Sequence, residues 1–284
     1  MALNSSKNID HGNYIPSPIV PGMKVADGEH IRKVFVLSTA DVAVGANQDY
    51  IGAVVGSTGS PTTESATETT SDLVTEPVEV TSLSRIPANI EVGADAKLDL
   101  TVIVLPGVSA RIPLTIDLTG AHSEVRLSGI YLCSGHDNVT FDITMHHRTG
   151  DCRSWQTFNG LASGEAKCGF FGKIVIAPDA QRTEAFQENH NILLSDTARV
   201  NTKPRLEIYA DDVKCSHGAT VGKLNEDEQF YMRSRGIPEE EAKVLQMISF
   251  VAPVLETIPE EATYGDISRS TVAELVESAI RSFA

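Results

Sequence analysis

The stretch Pro204-Arg-Leu-Glu-Ile-Tyr-Ala-Asp-Asp-Val-Lys-Cys-Ser-His-Gly-Ala-Thr-Val-Gly222 joins a short strand, an acidic turn and two side chains that can bind a metal. Leu206–Ala210 has the apolar composition of a strand, and the two aspartates after it predict a solvated turn. Cys215 and His217 are two residues apart, so both project from one face if this segment is extended.

The Cys215 and His217 pair has two interpretations. A thiolate and an imidazole side by side are ligands for iron, copper or zinc. A complete site needs three or four ligands, however, so the pair alone is a weak signal, and its spacing favours a core cysteine and a histidine bonded to a backbone carbonyl. The other cysteines, Cys133, Cys152 and Cys168, form no CxxC pair and are predicted to be small buried hydrophobes.

Composition restricts the classes of partner. The chain has 284 residues, enough for one large or two small domains, and a formal net charge of −15. Such acidity argues against nucleic acid and anionic membrane surfaces. Met1–Asp10 is polar and lacks an apolar signal core, and no apolar run is long enough to span a bilayer. We therefore expect a cytoplasmic protein.

Residues 1–77 are expected to be irregular, with short strands at Ile31–Leu37 and Asp41–Val44. Ser57–Pro77 is rich in Ser, Thr and Glu, and its composition predicts a surface loop or linker.

Residues 78–224 read as strands separated by Gly- and Pro-containing turns, without a long helical period. The clearest predicted strands are Lys97–Leu105, Ile112–Leu118, Glu124–Cys133, Val139–His146, Phe171–Ile176 and Asn191–Ser195. Similar units recur at intervals of roughly 20–30 residues, which suits a stacked β-solenoid. A sandwich stays open, although Asn159-Gly160 is the one Asn-Gly turn signal in this region.

Residues 225–284 change to a helical pattern. Asn225 is a candidate N-cap with Glu228 three residues later, and Gly236 is expected to end this first helix. Pro238 is expected at the first position of a second helix, which Pro253 should kink or end.

Two apolar stripes follow from this pattern. The second helix places Ala242, Leu245, Ile248, Ala252 and Leu255 on one face. A third helix from about Ser270 aligns Val272, Leu275, Val276, Ala279, Ile280 and Phe283. Each stripe either packs against the end of the β body or docks a partner, and the apolar pattern does not distinguish between these two roles.

Other polar groups give weaker signals. The chain contains no GxxxxGK[ST], GxGxxG, GxSxG or HExxH motif. His146 and His147 face opposite sides of a strand, so one imidazole should point inside. His190 is interpreted as an isolated polar turn residue or a late ligand, and His122 and His136 as exposed.

The stretch Pro204–Gly222, followed by Phe230–Ile237, resembles the C-terminal signature of the SufB/SufD family of iron–sulfur cluster assembly proteins. The segment Cys215-Ser-His-Gly218 makes the match nearer to SufD than to SufB, because SufB proteins carry Glu-His-Glu at that position. Looser similarity extends back to about Val78 and includes Gln181–Ser195.

The resemblance implies a right-handed parallel β-helix over residues 78–224 and a C-terminal helical domain over 225–284. It implies pairing through the β-helix with a SufB-like subunit or a second copy, and docking of the SufC ATPase on the helices. The partner-binding residues would be Phe230, Tyr231, Arg233, Arg235 and Gly236. The chain would not be an enzyme.

The resemblance also makes His217 the candidate cluster ligand, with Cys215 a weaker candidate. The cofactor would be a transient iron–sulfur cluster shared with a partner, with none firmly bound to the isolated chain. Glu188-Asn189-His190-Asn191 holds no cysteine where SufB has one, so the chain should depend on a partner. It also shows irregular sequence where SufD proteins carry a helical N-terminal domain.

Two alternatives remain at this point. A carbohydrate-active β-helix enzyme would need paired acids and a cleft rich in aromatic residues, whereas this chain has one tryptophan, Trp155. A purely structural SufD-like homodimer without metal contact is compatible with the same sequence.

Overall fold

The structure, a computed structural model, describes residues 22–38, 86–258 and 268–283. The predicted strand Asp41–Val44 and the predicted loop Ser57–Pro77 lie outside the described residues.

The chain alternates between two parallel sheets that stack into a β-solenoid. The strands are β1 (Met23–Val25), β2 (His30–Leu37), β3 (Asn89–Val92), β4 (Lys97–Val104), β5 (Ala110–Leu118), β6 (Glu124–Cys133), β7 (Asn138–His147), β8 (Arg153–Ala162), β9 (Lys167–Ile176), β10 (Thr183–Leu193), β11 (Arg199–Thr202), β12 (Arg205–Ile208) and β13 (Val213–Gly222). The first sheet runs β1-β3-β5-β7-β9-β11, with β12 also on β9, and the second runs β2-β4-β6-β8-β10-β13. This topology confirms the parallel β-helix and rules out the sandwich.

The solenoid begins earlier in the chain than the sequence suggests. Sequence analysis places the start of the β-helix core at residue 78, whereas β1 already pairs with β3 and β2 with β4. The apolar pattern of β2 was visible in the sequence, but its partner β4 begins far along the chain, at Lys97. The pairing is therefore non-local, and short-range pattern does not reveal it.

Two predictions within the β region are wrong. Asn159-Gly160 is not a turn but the interior of β8, where Gly160 makes room for a neighbouring ring: a Cβ there would lie 2.1 Å from the Tyr131 ring. The predicted strand Asn191–Ser195 is the end of the longer β10, whose first half carries alternating polar side chains that hid it.

One turn repeats through the stack. Asp95, His122, Asp151 and Arg182 all have φ between 55° and 60° and each lies one or two residues before a strand of the second sheet. The left-handed backbone is uncommon outside glycine. Its recurrence at equivalent places marks the period of the coils, and Arg182 bonds Asp151 in the coil before it through two contacts of 2.6 Å.

A row of alternating charges crosses the outer face of the second sheet at the start of its strands. Lys97, Glu124, Arg153, Glu184 and Lys214 are consecutive partners in the strand register. The ion pairs along this row measure 3.3, 3.8, 3.6 and 3.0 Å. Slipping one coil by a single residue would move its charge to the other face, so the row favours the observed register.

The lumen between the sheets is the main hydrophobic core. Four rings stack along it, with Tyr131, Phe141, Phe158 and Phe170 at successive centroid distances of 5.5, 5.1 and 4.9 Å. All four side chains are buried, and their tilted contacts are the favourable geometry for aromatic pairs.

Three helices follow within the described residues: α1 (Glu226–Ser234), α2 (Glu239–Leu255) and α3 (Arg269–Arg281). Asn225 caps α1 as predicted, accepting hydrogen bonds from the backbone of Asp227 and Glu228. Pro238 is the N-cap residue of α2 rather than its first residue, and α2 ends two residues after Pro253. No helix in the described ranges is long and apolar enough to cross a membrane.

A second hydrophobic cluster joins α2 and α3 to the outer face of the second sheet, at its side rather than at its end. Sheet residues such as Ile103, Ile130 and Leu161 pack there against α2 and α3. The α3 stripe is confirmed at its buried positions Val272, Val276 and Ile280.

The stripe predicted for α2 is confirmed in part, since Ala242 is buried and Ile248 and Leu255 pack against this cluster. The buried α2 residues are Ala242, Val244, Met247, Val251 and Val254, whereas Leu245 is 39% exposed. Apolar residues occupy most positions in the second half of α2, so two neighbouring faces fit the helical period equally well.

Candidate functional site

The last strand, β13, closes the second sheet with one edge unpaired. It pairs along its full length with β10, and no strand of the described residues lies on its other side. The strands β11 and β12 end the first sheet in the same way. This end of the solenoid therefore presents free backbone N–H and C=O groups from both sheets, which are a template for adding another strand.

Cys215 and His217 both lie on the lumen-facing side of β13. Their register partners on β10 are Ala185 and Gln187, which are buried. Cys215 is half-buried and packs against the core, whereas His217 is exposed. The strand geometry thus brings the two side chains to one face, as the sequence predicted, with the imidazole at the open end of the lumen.

The surroundings of Cys215 favour the neutral thiol. Burial raises the pKa of Cys215, and a hydrogen bond with the backbone of Ala185 partly opposes this rise. Metal binding requires the thiolate. Cys215 therefore becomes a ligand only when an approaching cation displaces its proton, which is consistent with its being the weaker candidate.

A buried pair of amides lies beneath His217. Gln187 and Gln156 face the lumen on neighbouring strands, and Gln187 Nε2 donates to Gln156 Oε1 at 2.9 Å. The oxygen of Gln187 and the nitrogen of Gln156 have no hydrogen-bond partner within the described part of the chain. Buried polar atoms without partners are uncommon in native proteins, so this pair marks a place where a ligand or a moving side chain could bond.

A second polar group fills the lumen two residues further along β10. Asn189 Nδ2 donates to Tyr131 Oη at 2.9 Å, and Asn191 Nδ2 donates to Asn189 Oδ1 at 2.8 Å. Tyr131 Oη in turn donates to Asn191 Oδ1. Burial raises the pKa of Tyr131 far above its usual range, so its hydroxyl keeps its proton as a donor.

Sequence analysis missed these lumen amides. The predicted strand began only at Asn191, and His190 was interpreted as a turn residue or a late ligand, but Gln187, Asn189 and Asn191 alternate with outward residues, which is the period of a strand. That period was the available signal.

The remaining histidines and cysteines build no further candidate site, although Cys133 and Cys168 are neighbours in the lumen, where the Cys168 thiol and burial raise the pKa of Cys133. Cys133, Cys152 and Cys168 are buried in the core as predicted. His190 is not a turn residue but an outward-facing member of β10, with its Nδ1 2.8 Å from Thr220 Oγ1. No group of three His, Cys, Asp or Glu side chains in the described ranges could hold a metal ion.

His146 and His147 divide between the two sides of β7. His146 is outside, with its Nδ1 3.0 Å from Asp117 Oδ1. His147 is fully buried, with its Nε2 2.8 Å from Ser154 Oγ, and burial lowers its pKa to about 4. The prediction of one imidazole inside is confirmed, and its role is structural because it lies in the core.

The helix α1 carries an exposed aromatic face. Phe230 is 73% and Tyr231 59% exposed, and none of the α1 residues is buried. Arg235 lies 5.2 Å from the centre of the Tyr231 ring, and Arg233 pairs with Glu239 at 3.5 Å. A short helix with no buried residue has little packing of its own to hold it.

The ends of α1 are nevertheless well defined. Gly236, at φ +90°, donates to the carbonyl of Arg233, and Ile237 donates to that of Met232, which together form a Schellman motif. Gln246 of α2 bonds to Glu228 and to the carbonyl of Asn225 at 2.8 and 3.0 Å. These bonds hold α1 in place while leaving its aromatic face uncovered.

A groove of about 660 Å³ runs beside α1 between the helices and the end of the solenoid. Its walls include Leu193, Met247 and Phe283, and its rim carries Lys223, Arg233 and Lys243. The lining also includes Glu226, Glu239 and Glu240, so the groove combines apolar contacts with charges of both signs.

Comparison with known proteins identifies similarity to one family. Residues 62–250, more than half of the chain, match the family model described as "SUF system FeS cluster assembly, SufBD core domain". The iron–sulfur cluster assembly protein SufD of Escherichia coli is 35% identical over 158 residues, which are 56% of this chain and 37% of that protein.

Two further relatives carry the same family description. An iron–sulfur cluster assembly SufBD family protein of Synechocystis is 47% identical over 100 residues, 35% of this chain and 22% of that protein. One from Pyrococcus horikoshii is 32% identical over 171 residues, 60% of this chain and 38% of that protein. The chain thus spans well under half the length of these relatives.

Proposed function

This chain belongs to the SufB/SufD family of SUF-system iron–sulfur cluster assembly proteins, and from that premise we propose that it is a SufD-like, non-catalytic subunit of the assembly complex. In this role it pairs with a SufB-like subunit, docks the SufC ATPase and offers a ligand to a nascent cluster. The observation that carries the proposal is the exposed His217 on β13, the strand that ends the second sheet with one edge free in the described residues.

The unpaired edges of β12 and β13 support pairing through this end of the solenoid. Exposed edge strands are normally covered, charged or interrupted, because they otherwise recruit further strands. The middle of β13 carries no charged residue between Lys214 and Lys223. Ile208 and Tyr209, 41% and 62% exposed, add apolar surface beside it.

The cluster is the cargo of this subunit. His217 is reachable from solvent, and Cys215 lies on the same face of β13. Two ligands are too few for an iron–sulfur cluster, which is usually held by four cysteines or by cysteines and histidines. The remaining ligands would come from the partner subunit, so the cluster would sit between the two chains.

Docking of the ATPase on α1 has the support of an uncovered helix. Phe230 and Tyr231 present large aromatic surfaces, the residue types that dominate interface energies. Arg233 and Arg235 flank them, and the Schellman motif at Gly236 fixes the angle at which the chain turns into α2. The groove beside α1 extends this surface towards the solenoid.

The proposal is tested by His217→Ala in cells that depend on this chain for cluster assembly. We expect His217→Ala to lower the activity of iron–sulfur enzymes severely and Cys215→Ala to lower it less. Ser216→Ala is the matched control, since Ser216 lies between them on the opposite face of β13. Full assembly in the His217→Ala cells would contradict the site.

Anaerobic reconstitution separates this proposal from a purely structural homodimer. Iron, sulfide and the chain are mixed with and without a SufB-like subunit, and absorbance and bound iron are measured. We expect cluster absorbance that depends on both chains. A paired chain whose bound iron is the same with and without His217 would support the structural homodimer instead.

A further inference from the structure

Gln187 is buried directly beside His217. The two residues are register partners on β10 and β13, and neighbouring strands lie about 4.8 Å apart, so their side chains leave the same side of the sheet at that spacing. Gln187 is fully buried, and its Oε1 has no hydrogen-bond partner among the residues that the structure describes. An unpartnered buried oxygen destabilises the fold unless something bonds to it.

The carboxamide of Gln187 is held in one orientation. Its nitrogen donates to Gln156 on β8, on the side of β10 away from β13. Since the oxygen and nitrogen diverge from one carbon, the oxygen is turned away from its neighbour Gln156 and is left as a free acceptor. Gly172 across the lumen makes this possible, because a Cβ there would lie 2.4 Å from Gln187 Nε2 and 2.7 Å from Oε1.

We propose that Gln187 is a positioning residue for His217, whose ring N–H donates to Gln187 Oε1 so that the other ring nitrogen is unprotonated and points out of the lumen. This inference rests on the proposed role of His217 as a cluster ligand. Histidines that bind metals commonly donate their second nitrogen to a carbonyl or carboxylate, which fixes the tautomer and the ring orientation.

The tautomer of His217 is the direct test. The ¹⁵N NMR spectrum of the histidine-labelled chain distinguishes a ring nitrogen that carries hydrogen from one that does not. We expect two well-separated nitrogen signals for His217, because one tautomer dominates. In Gln187→Leu we expect the two signals to converge, because the neutral tautomers exchange freely once the acceptor is lost. Unchanged signals in Gln187→Leu would overturn the inference.

Gly172→Ala is the variant that keeps the amide but moves it. The added methyl displaces only the end of a flexible side chain, so the fold should persist even if Gln187→Leu fails to fold. We expect the His217 signals to converge here too. Asn159→Leu is the matched control, since Asn159 is a buried amide with an unpartnered oxygen on the opposite side of the second sheet. A response to Asn159→Leu equal to that of Gly172→Ala would contradict a specific contact.

A double-mutant comparison separates this inference from the proposed function. If Gln187 acts through His217, Gln187→Leu lowers cluster assembly by about 10- to 100-fold in a His217 background and causes no further loss when combined with His217→Ala. Equal losses in both backgrounds would show a merely structural role for Gln187. If instead His217→Ala alone has no effect, the proposed function fails, while the NMR result still decides whether the contact exists.

Discussion

His147 is the buried titratable group that ties stability to pH. Its ring is enclosed in the lumen, with Nε2 close to Ser154 Oγ and Nδ1 without a partner in the described residues. Desolvation disfavours the imidazolium, so the pKa falls from 6.5 to about 4. The unfolded chain then binds more protons than the folded one between these values, and stability rises with pH across that window.

The first prediction concerns this histidine. The stabilising contribution of neutral His147 is complete above about pH 6.5 and is lost as the pH falls towards 4. The free energy of unfolding should therefore decrease between pH 7 and pH 5. We expect His147→Gln to reduce that decrease by about 2 kcal/mol, because glutamine does not titrate. Urea titrations of both proteins at pH 7 and pH 5 measure this decrease in the free energy of unfolding. Equal decreases in the two proteins would contradict the account.

Tyr131 supports the second prediction. Its buried hydroxyl bonds both Asn189 and Asn191. Tyr131→Phe leaves Asn191 Oδ1 without its donor, and we expect a loss of about 2 kcal/mol in the free energy of unfolding. Tyr209→Phe removes the same atom from a side chain that is 62% exposed, so it should change stability very little. A loss of similar size in both variants would contradict the polar network.

Single residues differ in how well sequence predicts them. Alternation placed Cys215 and His217 on one face and one imidazole of the 146–147 pair inside, because a strand has an invariable period of two. The lumen amides were missed, since their partners come from strands about 30 or 60 positions away along the chain. The chemistry of a buried amide depends on such partners and not on its neighbours in sequence.

At the scale of elements, the helices show where the helical period is ambiguous. Both ends of α1 were predicted from local residues, since capping depends on side chains within a few positions. The buried face of α2 was predicted only in part, because the apolar residues of α2 cover two adjacent stripes. The sheet decides between them by presenting Ile103, Ile130 and Leu161 to one stripe.

The third prediction tests the face of α2. Val251 is fully buried against the sheet, so Val251→Ala should lower the free energy of unfolding by about 2 kcal/mol. Leu245→Ala truncates a larger side chain that is 39% exposed, and we expect a change within about 0.5 kcal/mol. The reverse order of effects would place the stripe where the sequence pattern alone had put it.

The fourth prediction concerns the cap of α1. Asn225→Ala removes the acceptor for two backbone N–H groups and should cost about 1 kcal/mol of helix stability. Because α1 has no buried residue, that loss should appear locally, as faster amide hydrogen exchange in α1 with unchanged exchange in β8. Faster exchange throughout the chain would show that α1 folds as one unit with the solenoid.

At the scale of the whole molecule, sequence gives the repeating β character but not its extent. The turns at Asp95, His122, Asp151 and Arg182 recur in space with each coil, yet their residue types differ, so the period is invisible as a consensus. The strands β2 and β4 lie on either side of residues 39–85 in the sequence, and their pairing is likewise visible only in the folded stack. Choosing a solenoid over a sandwich required the family resemblance.

The assembly of the molecule also follows from its shape. One edge of β13 has no partner strand in the described residues, α1 leaves Phe230 and Tyr231 uncovered, and β13 brings two candidate ligands, Cys215 and His217, to the open end of the lumen. In the isolated chain the strand edge lacks a partner strand, the aromatic residues lack a covering surface, and two ligands are too few for a cluster. The chain is accordingly a partner-dependent subunit in our account rather than a scaffold that builds a cluster by itself.

The most direct test of that claim is the mass of the complex formed when the purified chain is mixed anaerobically with its SufB-like and SufC-like partners. Light scattering during size-exclusion chromatography should show one species that contains all three chains. A Phe230→Ala, Tyr231→Ala double variant should lose the SufC-like chain and keep the SufB-like one. A chain that elutes alone in every mixture would contradict the account.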